Sequence, residues 1–254
     1  MEELALFKRH VHEIHNAAGI VIAKQQLTKA VWPDLITSDA GDEGIKLEFS
    51  QPAIIWNAPL RASSSALAKR AIVMDGCFYF KDGTFDKGGA SLEVYSASRS
   101  SEGYKLELLE AMHFDIEPHA QQSPFHPMFH VQFGKNHRWD LGALQGRVAE
   151  LTRLDVSKVA INRDMDMPTR DVRIPTPQMD YLSMLVMVVA DYFCEKNSTH
   201  EVKSGFKRLL QKVMDSRNEA RVGRQSIRLE QRWANAGQNT PPFSAAHWYQ
   251  ESCR

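Results

Sequence analysis

The strongest constraint on the fold is an alternation of apolar and polar residues in two neighbouring segments, 112–117 and 125–133. Because successive side chains on a strand point to opposite faces, each segment predicts a strand with one apolar and one polar face. The apolar positions are Met112, Phe114, Ile116, Phe125, Phe129, Val131 and Phe133. The positions between them are His113, Asp115, Glu117, His126, Met128, His130 and Gln132.

If the two strands pair as a hairpin with both apolar faces on the core, their polar faces also coincide. Five titratable side chains then share one surface: His113, Asp115, Glu117, His126 and His130. Opposed Cβ atoms in such a pair lie about 4.5–5.5 Å apart. The register stays open, because pairing either His113 or Asp115 with His130 keeps the apolar faces together. Both registers predict a compact group of imidazoles and carboxylates.

The fold class follows from the rest of the pattern. Several short alternating runs lie between residues 45 and 104, with turn signals at Asp75-Gly76, Asp82-Gly83 and Gly88-Gly89. The alternation of the long run 104–117 slips near Leu108-Leu109, which predicts a β-bulge. Helical spacing of apolar residues appears in 2–30, 141–154, 181–195 and 203–216. We therefore predict an α+β fold, in which an antiparallel sheet of about 5–7 strands is packed by N- and C-terminal helices.

Two regions are expected within the chain. Residues 1–196 should form the α+β core domain together with the N-terminal helix. Residues 197–254 should form a basic helical extension, with a helix at about 218–234 and a flexible tail at 235–254 that contains Gly237, Pro241 and Pro242.

Composition excludes several classes of protein. The chain has 254 residues, of which 43% are hydrophobic and 24% are charged, and this is ordinary for a globular protein. The three cysteines are far apart, which favours a reducing compartment over a disulfide framework. The N-terminus lacks the apolar segment of a signal peptide, and the longest apolar run, Tyr181–Ala190, is too short to span a bilayer. We therefore expect a cytoplasmic protein that does not enter a membrane. Neither alternating βα units nor a glycine-rich phosphate loop is present.

The neutral formal charge of the chain hides a basic end. From residue 197 onward, ten Lys and Arg residues face five Asp and Glu residues. Five arginines at steps of three or four would share one face of a helix: Arg217, Arg221, Arg224, Arg228 and Arg232. Such a stripe suits the backbone of a nucleic acid. It equally suits docking on an acidic protein, or a solvated amphipathic helix.

The histidine-rich face is open to three interpretations. His113, Asp115 and His130 could bind Zn²⁺, Mn²⁺ or Fe²⁺, because imidazole and carboxylate groups ligate such metals. Asp164 and Asp166 give a weaker, Mg²⁺-type pattern. The expected cofactor is therefore a divalent metal, Zn, Mn or Mg, or none. Without a metal, two histidines could act as general acid and base on an ester or phosphodiester. The third interpretation is a polar sheet face with hydrogen-bonded histidines.

The segment before the apolar helix at 181–195 carries Arg170, Asp171 and Arg173. An arginine there could bind a phosphate or carboxylate through two parallel hydrogen bonds. A surface salt bridge would produce the same spacing. Because of the possible phosphate contact, we include Arg173 among the candidate catalytic residues.

Two motifs resemble an uncharacterised prokaryotic domain family that is associated with mobile elements and phage-defence gene neighbourhoods. They are His126-Pro127-x-Phe129-His130-x-x-Phe133-Gly134, and Arg173-Ile174-Pro175-Thr176-Pro177 before an apolar helix that ends in Tyr192-Phe193. The resemblance covers roughly residues 104–195, and its matching positions are His126, His130, Arg173 and Pro175. It implies a prokaryotic cytosolic protein that works with partner proteins, and it implies no particular reaction.

Two functions are consistent with these patterns. The first is a nuclease or phosphodiesterase-type effector of a prokaryotic defence or toxin system. Its catalytic candidates are His113, Asp115, Glu117, His126, His130 and Arg173, and its arginine stripe would contact nucleic acid. The alternative is a non-catalytic subunit of a multi-protein defence complex, which would bind a partner protein of its operon or a nucleic acid.

Overall fold

The structure is a computed structural model, and it describes residues 2–25, 27–59, 69–82, 84–116, 129–134, 139–164, 173–176 and 180–214. Four α-helices lie in these ranges: α1 (Glu2–Ile22), α2 (Leu141–Thr152), α3 (Tyr181–Phe193) and α4 (His200–Met214). The first six strands are β1 (Lys29–Val31), β2 (Leu35–Asp39), β3 (Ile45–Phe49), β4 (Ala53–Ala58), β5 (Lys69–Lys81) and β6 (Thr84–Ser100). The other four are β7 (Gly103–Ile116), β8 (Phe129–Phe133), β9 (Val159–Asn162) and β10 (Ile174–Pro175).

All ten strands belong to one sheet, whose main path has the order β1-β4-β5-β6-β7-β8-β10. Strand β3 pairs with β2 and with the far end of β5, and β9 pairs with β7. Every described pairing is antiparallel except β7 with β9, which is parallel. The predicted α+β class, an antiparallel sheet packed by N- and C-terminal helices, is confirmed.

The sheet has more strands than the five to seven expected from the sequence, because short ones such as β1, β9 and β10 carry too few residues to show alternation. The expected turns at Asp75-Gly76 and Gly88-Gly89 are wrong, since both pairs lie inside the long strands β5 and β6. The expected bulge near Leu108-Leu109 is confirmed. The register against β6 shifts there, with Val94 opposite Glu110 and Tyr95 opposite Leu108.

One face of the sheet, the helix-covered face, carries the main hydrophobic core. Helices α1, α3 and α4 pack on it, and the Phe7 ring of α1 meets the Phe78 ring of β5 edge-on at 4.9 Å between centroids. Burial of one such side chain contributes about 1.5–3 kcal/mol. The other face, the second face, is apolar at one end, where Leu144 and Val148 of α2 pack on Trp56 and Tyr95. Its remaining part is polar and holds the predicted site.

Helix α4 is the described part of the expected extension at 197–254. Its Val202, Leu209 and Val213 belong to the main core, and Lys212 Nζ lies 2.8 Å from Glu13 Oε2 of α1. The proposed division of the chain at residue 196 stays a prediction. No helix in the described ranges is long and apolar enough to cross a bilayer.

A buried aromatic cluster joins α1 and α3 to the sheet. His15 Nε2 lies 2.8 Å from the Tyr181 hydroxyl, and the His15 ring stacks on Trp32 at 4.5 Å between centroids. Burial lowers the pKa of His15 to about 3, so this imidazole is neutral at physiological pH. Gly76 of β5 lies directly beneath Tyr181, because a Cβ atom placed there would be 2.9 Å from Tyr181 Cβ. Gly76 therefore allows the close approach of α3 to the sheet and does not form a turn.

Candidate functional site

The structure describes part of the predicted hairpin face, namely strands β7 and β8. Strands β7 and β8 pair with Asp115 opposite His130 and His113 opposite Gln132, which is one of the two registers left open by the sequence. Phe114, Ile116 and Val131 point into the main core on the helix-covered face. Because strand side chains alternate, His113, Asp115, His130 and Gln132 share the second face.

A single carboxylate oxygen joins two imidazoles. Asp115 Oδ2 lies 3.3 Å from His113 Nε2 and 3.2 Å from His130 Nε2. His113 Nε2 also lies 2.6 Å from Gln132 Oε1. We call His113, Asp115 and His130 the His–Asp–His group. The alternation within β8 already placed Gln132 on this face, but its pairing with His113 depends on the register, which the sequence left open.

The charges in this group stabilise one another. Burial alone would raise the pKa of Asp115, but hydrogen bonds from His113 and His130, with their positive charge, lower it well below its usual range. Conversely, the hydrogen bond to Asp115 raises the pKa of His113, against the opposing effect of burial. The geometry thus favours an ionised carboxylate beside a protonated His113.

The three side chains differ in exposure. The side chain of His130 is 2% exposed, that of His113 is 15% exposed and that of Asp115 is 29% exposed. His113 Nδ1 is buried and has no hydrogen-bond partner among the described residues. Water therefore reaches the group mainly at Asp115.

Arg173 lies at the edge of the group. It is exposed and directly precedes β10, in which Pro175 pairs with His130 of β8. Its positive charge acts to lower the pKa of His113, which indicates that the guanidinium is within electrostatic reach of that imidazole. The structure thus brings Arg173 to the same end of the sheet as the His–Asp–His group.

Two groups beside the site were missed by sequence reasoning. Asp75 is buried on β5, in the cross-strand row that continues through Ser91 to His113. Glu93 of β6 is also buried, and it binds the Tyr95 hydroxyl and Arg163, whose Nη2 lies 3.3 Å from Glu93 Oε2. The signal in the sequence was an acidic residue within an otherwise apolar strand.

The metal prediction is not decided by this geometry. The described ranges contain no group of three or more His, Cys, Asp or Glu side chains arranged to hold a metal ion. The assignment of a divalent metal to His113, Asp115 and His130 therefore stays a prediction. Asp164, from the weaker Mg²⁺-type pattern, is exposed.

Several predicted residues lie outside the described part of the chain. They are Glu117, His126, Arg170, Asp171 and the arginine stripe of Arg217, Arg221, Arg224, Arg228 and Arg232. Asp166 and the tail 235–254 also lie outside it. Their assigned roles stay predictions.

Comparison of the chain with protein-family models, with curated proteins and with solved structures found no match.

Proposed function

We propose that this protein is a hydrolase of the nuclease or phosphodiesterase type, with the His–Asp–His group as its catalytic centre. The observation that carries the proposal is the position of Asp115 Oδ2 within 3.3 Å of both His113 Nε2 and His130 Nε2. A carboxylate held between two imidazoles fixes their orientation and stabilises the protonated form, as general acid catalysis requires.

His113 acts as the general acid in this proposal. The hydrogen bond to Asp115 raises its pKa, so the imidazolium persists to higher pH than that of a free histidine. Water attacks phosphorus and releases a proton to the solvent, the bond from phosphorus to the leaving oxygen breaks, and the His113 imidazolium gives its proton to that oxygen.

Arg173 binds the phosphate in this mechanism. Phosphoryl transfer passes through a transition state with charge spread over the non-bridging oxygens, so catalysis depends mainly on positioning and charge stabilisation. A guanidinium can contact two of these oxygens at once. His130, almost fully buried, holds Asp115 in place from the opposite strand.

A divalent metal is the other way in which the same side chains could serve hydrolysis. Zn²⁺, Mn²⁺ or Mg²⁺ bound by His113, Asp115 and His130 would polarise the phosphoryl group and lower the pKa of a bound water molecule. Elemental analysis of the purified protein, together with hydrolysis in the presence of EDTA, distinguishes this metal-dependent route from the metal-free one.

The biological setting of the proposal comes from the resemblance of the two motifs around His130 and Arg173. It supports a prokaryotic, cytoplasmic defence or toxin effector that works with a partner protein from the same operon. Glu117 and His126 would complete the catalytic surface, and the arginine stripe would hold the nucleic-acid backbone.

The test is hydrolysis of bis(p-nitrophenyl) phosphate and of single- and double-stranded oligonucleotides by the purified full chain, with and without EDTA. Replacement of His130 by Gln is expected to lower the rate by roughly 100- to 10,000-fold, the range for general acid–base groups, because Asp115 loses one of its two supports. His200→Gln, an exposed histidine on α4, is the matched control and should keep the wild-type rate. An unchanged rate in His130→Gln would remove the proposal.

A second function is favoured by the burial of the same group. His130 is 2% exposed and His113 Nδ1 is buried, which also suits a polar network that stabilises a binding surface. On this account the protein is a non-catalytic subunit that binds a partner protein or a nucleic acid. It would show no hydrolysis, contain no stoichiometric metal and co-purify with a protein encoded by a neighbouring gene.

A further inference from the structure

A second polar row crosses the second face next to the His–Asp–His group. Lys46 of β3, Tyr79 of β5 and Lys87 of β6 are direct cross-strand neighbours. Both ammonium groups lie over the same ring, with Lys87 Nζ 4.9 Å and Lys46 Nζ 5.9 Å from the Tyr79 centroid. The side chains are 26% exposed for Lys46 and 35% exposed for Lys87, so the row is partly exposed to solvent.

This row adjoins the candidate catalytic centre. The next row along the strands on the same face contains Cys77, Gly89, Asp115 and His130. Since a strand rises about 3.3 Å per residue, Lys87 and Gly89 lie roughly 7 Å apart along β6. A Cβ atom at Gly89 would be 3.3 Å from Asp115 Oδ1, so Gly89 directly borders the carboxylate.

Gly89 leaves the sheet surface between Tyr79 and Asp115 open. It has no side chain, and its strand neighbours on either side are Cys77 and Asp115. An extended ligand can therefore follow the sheet from Tyr79 to Asp115 without crossing a bulky residue at that position.

The two lysines are held by acidic partners that a phosphate can replace. Lys46 Nζ lies 2.6 Å from Glu48 Oε2, and Lys87 Nζ lies 2.5 Å from Glu43 Oε1. Exposed ion pairs of this kind contribute little to stability. The hydrogen bond to Glu43 raises the pKa of Lys87, so this side chain is charged at neutral pH.

We propose that Lys46, Tyr79 and Lys87 form a binding subsite for single-stranded nucleic acid. The ammonium groups of the two lysines move off the Tyr79 ring onto the flanking phosphates, one unpaired base stacks on the ring in their place, and the nucleic-acid strand continues over Gly89 to the His–Asp–His group. The inference deepens the proposed function, on which it rests, by naming the class of substrate. Aromatic side chains on an open sheet face hold unstacked bases in this way, and lysines beside them follow the backbone.

The first test measures binding without turnover. A short fluorescein-labelled polyuridine or polythymidine oligonucleotide is titrated with the full chain in EDTA, and the dissociation constant is read from anisotropy. Tyr79→Ala is expected to weaken binding about 5- to 100-fold, the range for loss of one stacked base. Tyr79→Phe keeps the ring and should bind as the wild type does.

The second test distinguishes a direct contact between a lysine and a phosphate from the general effect of removing one positive charge. The logarithm of the binding constant falls linearly with the logarithm of the salt concentration. For a single-stranded ligand, removal of one phosphate contact makes this negative slope shallower by about 0.7. Lys87→Gln should show this loss, whereas Glu43→Gln should tighten binding because it releases Lys87. Lys105→Gln is the control, since Lys105 is a strand lysine away from the Tyr79 row that is also paired with a glutamate, Glu107, at 2.7 Å.

These outcomes distinguish the subsite from the catalytic proposal. Weaker binding in Tyr79→Ala and Lys87→Gln supports the subsite, even if no hydrolysis is found. Wild-type affinity and salt slope in both variants would overturn it, as expected if the arginine stripe or another surface carries all binding. Equal affinity for duplex and single strand, or binding of polyglutamate in place of nucleic acid, would also overturn it. If Tyr79→Ala fails to fold, the salt slope of Lys87→Gln decides.

Discussion

Replacement of Asp115 by Asn is expected to lower phosphodiester hydrolysis by roughly 100- to 10,000-fold, the range for loss of a general acid–base contribution. The carboxylate oxygen within 3.3 Å of two imidazoles is the group that keeps His113 protonated. An amide of the same shape still accepts a hydrogen bond but carries no charge, so the imidazolium is no longer stabilised. The rate is measured with bis(p-nitrophenyl) phosphate at neutral pH.

Two controls belong to the Asp115→Asn experiment. Asp191→Asn changes an exposed aspartate on α3, and it should leave the rate unchanged. Urea denaturation of both variants shows whether the fold is retained. An Asp115→Asn protein that is folded and hydrolyses at the wild-type rate would contradict the catalytic role of the carboxylate.

Replacement of Gly76 by Ala is expected to lower the free energy of unfolding by about 1–3 kcal/mol, the usual cost of overpacking a core. The added methyl group would lie 2.9 Å from Tyr181 Cβ and 3.1 Å from Tyr181 Cγ. These atoms are close to the backbone of α3, so the helix itself has to move. The movement also disturbs the hydrogen bond between Tyr181 and His15. The effect is measured by urea denaturation. The midpoint should fall while the m-value stays unchanged.

Gly146→Ala is the matched control for Gly76→Ala. Gly146 lies within α2, and a Cβ atom there would meet nothing within 4 Å. Because alanine is the better helix former by about 1 kcal/mol, this substitution should leave stability unchanged or raise it. Equal effects of the two substitutions would show that the contact between β5 and Tyr181 is not the cause.

The hairpin face could be predicted from sequence because its signal is local. Alternation within β7 and β8 determined which side chains share a face, and it placed His113, Asp115 and His130 together. Alternation could not choose between the two registers, since both keep the apolar residues on the core. The choice depends on how the whole of β7 pairs with β6, and that pairing is set by contacts far apart in the sequence.

Glycines were the main source of error in the fold prediction. Gly76 and Gly89 looked like turn residues, but each lies in the middle of a long strand. Gly76 is there because Tyr181 packs on it, and Gly89 is there beside the Asp115 carboxylate. Both neighbours come from distant parts of the chain, so no local pattern could reveal them. The row of Lys46, Tyr79 and Lys87 was missed for the same reason, since it joins three strands.

The pH dependence of kcat/KM for phosphodiester hydrolysis tests the central claim, that Asp115 keeps His113 protonated as the general acid, most directly. Because the hydrogen bond to Asp115 raises the folded-state pKa of His113 above the ordinary value of an imidazole, activity should be high below this pKa and fall as pH rises through it. In Asp115→Asn the same alkaline fall should move to lower pH, because the charge that raised the pKa is gone. An alkaline fall at the same pH in both proteins, or no hydrolysis by the wild type at any pH, would contradict the claim.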